Sequence, residues 1–202
     1  MKAELTAELT AELAAEPTAE LVFTIGHSNR AIEDFIGLLW QNGIGCLIDI
    51  RTVPKSRHNP QFGQDELAVS LADAGIEYRY LRGLGGLRRP HRETPNTGWR
   101  NLSFRGYADY MQTEEFAANV EEVIELGRSR PCALMCAEAV PWRCHRSLVA
   151  DALLVRGVRV EDIIDARQRR PHKLTPFARV DGLRITYPPE QAAEGGAQLP
   201  PA

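Results

Sequence analysis

Residues 133–157 read ALMCAEAVPWRCHRSLVADALLVRG, and the order of apolar and polar residues within them decides the fold. A short apolar run ends at Cys136, a polar loop carries Glu138, and helical spacing is predicted from Trp142 to Val155, with Gly157 as its stop. Pro141 stands just ahead of that helix, where its fixed φ suits a sharp entry. A buried strand passing through a short loop into a helix is the building unit of a parallel sheet.

The same unit recurs on the N-terminal side. Residues 21–26 (LVFTIG) and 46–50 (CLIDI) read as short buried strands, and 32–41 shows helical spacing through Ile32, Phe35, Ile36, Leu39 and Trp40. A helix at 64–74 stops at Gly75, a strand follows at 77–81, and 107–127 holds one or two helices. Beyond the opening stretch, 158–164 reads as another strand and 183–187 as a last short one. Such alternation predicts an α/β domain with a mainly parallel, doubly wound, Rossmann-like sheet and helices on both faces.

The domain is expected to span residues 21–187. Residues 1–20 carry a degenerate Ala-Glu-Leu-Thr repeat broken by Pro17, with glutamates stacked every four residues, and read as a frayed helix or disordered extension. The tail at 188–202, rich in Pro, Gly, Ala and Gln, reads as disordered. The chain has 202 residues, 44% hydrophobic and 25% charged, which describes one ordinary globular domain. No apolar stretch is long enough to span a membrane, and the N-terminus lacks the order of a signal peptide, so a cytoplasmic location is expected. Four cysteines are too few for a disulfide scaffold and read as thiols of a reducing compartment.

The net charge of −3 hides an asymmetry, because residues 21–189 hold 23 bases against 20 acids. Between 79 and 105, seven arginines (79, 82, 88, 89, 92, 100 and 105) face Glu93 alone, a local excess suited to an anion or nucleic acid. Tyr78, Tyr80, Trp99, Phe104 and Tyr107 near it could stack on bases, with Trp99 and Phe104 the better candidates because Tyr78 and Tyr80 read more simply as one face of a strand. The alternative is an arginine-rich solvated loop, since the chain has 21 Arg and 3 Lys.

In open parallel sheets, ligands bind outside the carboxyl ends of the strands where the strand order reverses. If the strands at 21–26 and 133–136 are neighbours there, His27, Ser28, Asp49, Arg51, Cys136, Glu138 and His145 converge. The motifs TIGHSN (24–29), DIRTVPKSR (49–57), LGG (84–86) and CAEAVPWRCHR (136–146), in that order, resemble the domain-of-unknown-function family 488 over roughly residues 22–170. The resemblance implies a single α/β domain and supplies no reaction.

The chemistry must therefore be read from the residues. Cys132 and Cys136 lie roughly 13 Å apart along a strand and cannot share an ion. The spacing Cys-x7-Cys-His matches no familiar structural zinc pattern, and the Cys-Ala-Glu order only faintly echoes the zinc deaminases. No metal is assigned on this reading, with a thiol or metal site at Cys136, Cys144 and His145 as the alternative. An anion site draws on more features. These are the helix N-terminus at 142, Arg143 and Arg146 in its first turns, and Arg51 and Arg57 after the second strand. Ser28 and Asp49 complete that ligand-binding set, while Glu138, His145 and His27 are candidates for acid–base work. The expected ligand is a phosphate-bearing small molecule or nucleotide, with hydrolysis or group transfer as the possible reaction and no cofactor specified. The competing reading is a non-catalytic nucleic-acid-binding module using the 79–105 loop. Arg146 paired with Asp49 or Glu138 would be the purely structural outcome.

Overall fold

A computed structural model describes residues 20–189 apart from Ser56; the repeat through 19 and the residues from 190 onward lie outside the described residues. Six strands form one sheet: β1 (Leu21–Gly26), β2 (Cys46–Asp49), β3 (Glu77–Tyr80), β4 (Cys132–Cys136), β5 (Arg159–Ile163) and β6 (Arg169–Pro171). Their order is β3-β2-β4-β1-β5-β6; the first five are parallel and β6 runs antiparallel to β5. The helices are α1 (Ile32–Gln41), α2 (Gln64–Asp73), α3 (Leu102–Tyr110), α4 (Glu114–Ser129) and α5 (Arg146–Val155), and a hairpin of β7 (Arg179–Asp181) and β8 (Arg184–Thr186) follows. The domain is an α/β fold of the Rossmann-like kind.

Successive strand residues point to opposite faces, and this period of two builds two cores. Phe23, Ile25, Leu47, Ala133 and Met135 pack with Phe35, Leu39, Leu67 and Leu71 of α1 and α2. Val22, Ile48, Cys132, Leu134 and Cys136 pack on the other face with Tyr107, Val120, Val123, Leu148 and Ala152 of α3, α4 and α5. Helices therefore cover both faces. No helix among the described residues is long and apolar enough to cross a membrane.

Strand order differs in one respect from a sheet wound outward in simple succession. β4 inserts between β2 and β1, so β1 is interior and neighbours both β4 and β5. Register then brings Gly26 beside Cys136 and Asp49 beside Met135, which levels the carboxyl ends of β1, β4 and β2. β6 and β7 carry no strand signal in the sequence, because Arg169-Arg170-Pro171 and Arg179-Val180-Asp181 are short and lack apolar alternation. The segment 107–127 resolves into α3 and α4, the latter capped by the Thr113 hydroxyl accepting from the Phe116 amide.

The helix expected to begin at Trp142 does not. Pro141–Arg143 form a single 3₁₀ turn, Cys144 is extended (φ −132°, ψ 143°), and α5 starts only at Arg146. The early turn follows proline, but the extended Cys144 interrupts the helical hydrogen bonding.

Arg146 is 1% exposed and points into the protein. Its guanidinium donates to the carbonyls of Glu138 (2.6 Å) and Ala139 (3.1 Å), and its Nε to the Thr24 hydroxyl (3.3 Å). Thr24 in turn donates to Asp162 (2.5 Å). The His172 ring lies between Asp162 (3.3 Å) and Asp151 (3.0 Å), and the Tyr187 hydroxyl donates to Asp151 (2.9 Å). Burial opposes protonation of His172, but the hydrogen bonds to Asp151 and Asp162 overcome it and raise its pKa to about 9.

Because this folded-state value lies above the unfolded one, the stabilisation is complete below pH 6.5 and is lost progressively as pH rises through about 9. It amounts to roughly 3 kcal/mol. Urea denaturation between pH 6 and 10 should show that decline, and His172→Gln should flatten it; an unchanged slope in the variant would rule out His172 as its source.

Candidate functional site

A cleft of about 690 Å³ opens at the carboxyl ends of β1, β2 and β4. His27, Ser28 and Asn29 line it from the turn after β1. Arg51, Thr52, Val53, Lys55 and Asn59 come from the segment after β2. Cys136, Ala137 and Glu138 end β4, and Arg143, Cys144 and His145 lead into α5. Gly86, Leu87, Asn101, Ser103 and Phe104 close the far side. This is where an open parallel sheet is expected to bind ligands.

Two glycines allow the walls to approach. A Cβ at Gly26 would lie 1.8 Å from the Glu138 carbonyl oxygen, so only glycine lets the 138–139 loop cross the end of β1. A Cβ at Gly86 would lie 2.4 Å from the imidazole Nδ1 of His145. The Leu-Gly-Gly motif thus brings main chain against a site residue. Ser28 is the one non-glycine residue with positive φ (52°) among the described residues. Its conformation accompanies continuation of the ladder past the strand, with the His27 and Ser28 amides donating to Cys136 (3.0 Å) and Ala137 (2.9 Å) carbonyls.

The sequence candidates divide into those that face the cleft and those spent inside. Ser28, Glu138 and Arg143 line it with exposed or half-buried side chains. Asp49 is fully buried and does not line it, because it accepts from Arg51 Nε (2.9 Å), Arg51 Nη2 (2.5 Å) and the Tyr78 hydroxyl (2.8 Å). Arg51 borders the cleft but is 5% exposed, its charge matched by Asp49 and its Nη1 given to the Phe62 carbonyl (2.8 Å). Arg57 is exposed and outside the cleft lining. Arg146 is outside the cleft lining, and its guanidinium is engaged by two carbonyls and Thr24. It forms neither of the ion pairs considered for it, although one of those carbonyls is that of Glu138.

The two histidines differ in how their ring nitrogens are engaged. His27 is stacked on Phe62 (centroids 4.3 Å apart), with Nδ1 against the Ser28 carbonyl (2.8 Å) and Nε2 beside Arg51 Nη1 (3.3 Å). Nδ1 is the donor and Nε2 the acceptor, so both nitrogens are used. Burial, together with the Arg51 charge, pushes its pKa down to about 4 and keeps it neutral. His145 places Nε2 3.1 Å from the Ile50 carbonyl, which fixes the proton there. Its Nδ1 is left facing Cys144 Sγ (3.7 Å) and Cys136 Sγ (4.0 Å).

Those two cysteines lie side by side at the cleft floor, buried but bordering it. A hydrogen bond between the thiols lowers the pKa of Cys144, helped by the charge of Arg146, and raises that of Cys136, which is also penalised by burial. Cys46 and Cys132 sit apart in the core, and burial pushes them up to about 11 and about 12. Among the described residues, Cys136, Cys144 and His145 form a group that could hold a metal, their ligand atoms all within 4.8 Å of one another.

The basic loop is partly consumed by structure. Arg88 lies 3.5 Å over the Tyr110 ring and donates to the Gly83 carbonyl, Arg105 donates to the Trp99 carbonyl, and Arg79 pairs with Glu77. Trp99 packs among Phe104, Phe177 and Tyr187, so the proposed base-stacking face is used internally. Sequence reading missed Lys55, Asn59, Asn101 and Ser103 as cleft residues. Lys55 stood inside the 49–57 motif as a visible signal, whereas the other three gave none.

The model of the family described as domain of unknown function DUF488 matches residues 31–153, well over half of the chain. The chain belongs to this family. No curated protein and no solved structure matches it. For a DUF488 protein the geometry above is the basis for a functional reading.

His27 should titrate near pH 4 by NMR and remain neutral at pH 6; an inflection near 6.5 would contradict its packing. Gly26→Ala should destabilise the domain by about 3 kcal/mol in a denaturant titration, since the clash is with backbone. Unchanged stability would mean that the 138–139 loop can move aside.

Proposed function

We propose that the cleft binds a phosphate-bearing small molecule or nucleotide, and that Glu138 is the acid–base group for hydrolysis or group transfer on it. One observation carries this reading. Lys55 and Arg143 reach the cleft with exposed side chains and make no ion pair among the described residues, while Glu138 is the one acid of the lining. Arg51, matched by Asp49, adds little net charge to that balance. Two unmatched cations beside the hydroxyls and amides of Ser28, Thr52, Asn101 and Ser103 suit an anionic ligand with several acceptor oxygens.

The support has moved from where the sequence placed it. The helix N-terminus no longer contributes, because α5 begins beyond the cleft-lining 3₁₀ turn and its first amides already bond to Cys144 and His145 carbonyls. Binding falls instead to side chains from the β2 and β4 loops. The buried thiols suit a reducing, cytoplasmic setting.

A thermal-shift screen of nucleotides, sugar phosphates and inorganic phosphate should yield stabilising ligands. Arg143→Glu and Lys55→Glu should each weaken the best one by about 10-fold or more. Glu138→Gln should spare binding and abolish turnover. A panel with no stabilising anion, or affinity indifferent to both charge reversals, would overturn the reading.

A further inference from the structure

We infer that Cys136, Cys144 and His145 form a mononuclear zinc site whose fourth position opens into the cleft. The inference goes beyond the anion-binding reading and does not depend on it.

Two places in the chain supply the ligands, the end of β4 and the adjacent pair Cys144-His145 ahead of α5. Cys136 ends β4, Cys144 follows the 3₁₀ turn in extended backbone, and His145 is the residue before α5. The chain spacing gives no zinc pattern because the seven intervening residues fold back through the 138–143 loop. In space the pattern is plain. A tetrahedral zinc with Zn–S of about 2.3 Å and Zn–N of about 2.0 Å separates sulfur from nitrogen by about 3.5 Å. Here those separations are 3.7 Å and 4.0 Å, and no pair of ligand atoms is further apart than 4.8 Å. Closing the site takes shifts of a few tenths of an ångström on the histidine side.

The surrounding contacts point the same way. The Ile50 carbonyl holds the Nε2 proton of His145, so the lone pair of Nδ1 is the one directed at the sulfurs. A metal-bound imidazole whose other nitrogen donates to a backbone carbonyl is the usual outer-shell arrangement of such ligands. Gly86 fits main chain against that ring. Zn²⁺ would displace the two thiol protons to solvent, and two thiolates with a neutral imidazole then leave no net charge at a buried position. Three protein ligands with one open position is the arrangement of catalytic rather than structural zinc. The cleft reaches all three residues, and Glu138 lines it. With zinc held by these three residues, the open position would supply a metal-activated water facing the cleft.

Cobalt(II) titration of the full chain, reduced and freed of metal, tests the site without any substrate. One Co²⁺ per chain is expected, with thiolate-to-cobalt charge-transfer absorption and tetrahedral d–d bands, displaced by Zn²⁺. Cys136→Ser, Cys144→Ser and His145→Gln should each weaken metal binding beyond the 10–100-fold typical of losing an outer-shell partner. Cys132→Ala, on the same strand, should retain it. Folded wild-type protein that gives no thiolate–cobalt band overturns the inference, as does a band that survives both serine substitutions. A metal-loaded protein that binds no anion would defeat only the reading of the cleft.

Discussion

The buried guanidinium of Arg146 is the interaction on which the site depends. It ties the loop after β4 to the interior through two carbonyls and to β1 through Thr24. Hydrogen bonds of this charged kind contribute about 1.5–3 kcal/mol each, and the loop they fix carries Glu138. The buried charge is offset at a distance, because Thr24 relays to Asp162 and His172 bridges Asp162 to Asp151. Through Tyr187, the segment following β8 is fastened to the same network. One arginine therefore couples the cleft loop, the central strand and the end of the domain.

That coupling explains why the cleft is polar yet ordered. Asp49 and Arg51 form a second buried ion pair, with His27 wedged between Arg51 and Phe62. Charged groups that read as ligand binders thus hold the walls in place, while Lys55, Glu138 and Arg143 remain exposed at the opening. A buried ion pair gives little net stability because desolvation offsets attraction. Its role here is positional: the pair keeps the β2 end and the β1 turn in one arrangement around the thiols.

The legible part of the fold followed from periodicity. Apolar runs in β1, β2 and β4 and the spacing in α1 are strong local signals, and burial on both sheet faces makes them so. β6 and β7 were illegible because short, arginine-bearing strands carry no pattern. The site was legible as a location: the turns after β1, β2 and β4 do meet, because β4 lies between β1 and β2. Roles were far less legible. Arg143 and Arg146 are three residues apart in one motif, yet one faces the cleft and the other is interred, since the extended Cys144 resets the chain direction between them.

The sequence by itself determined the α/β class, the strand-to-helix unit at 133–157 and the neighbourhood of the site, because each is written in local patterns of apolar and turn-forming residues. The tertiary structure alone decided strand order and which cations are spent on carbonyls and carboxylates. It also decided that the ligand atoms of Cys136, Cys144 and His145 come within 4.8 Å of one another. Strand order and the spent cations depend on distances between segments remote in the chain, and the Cys136–His145 cluster depends on how the short loop between them folds back, neither of which residue spacing encodes.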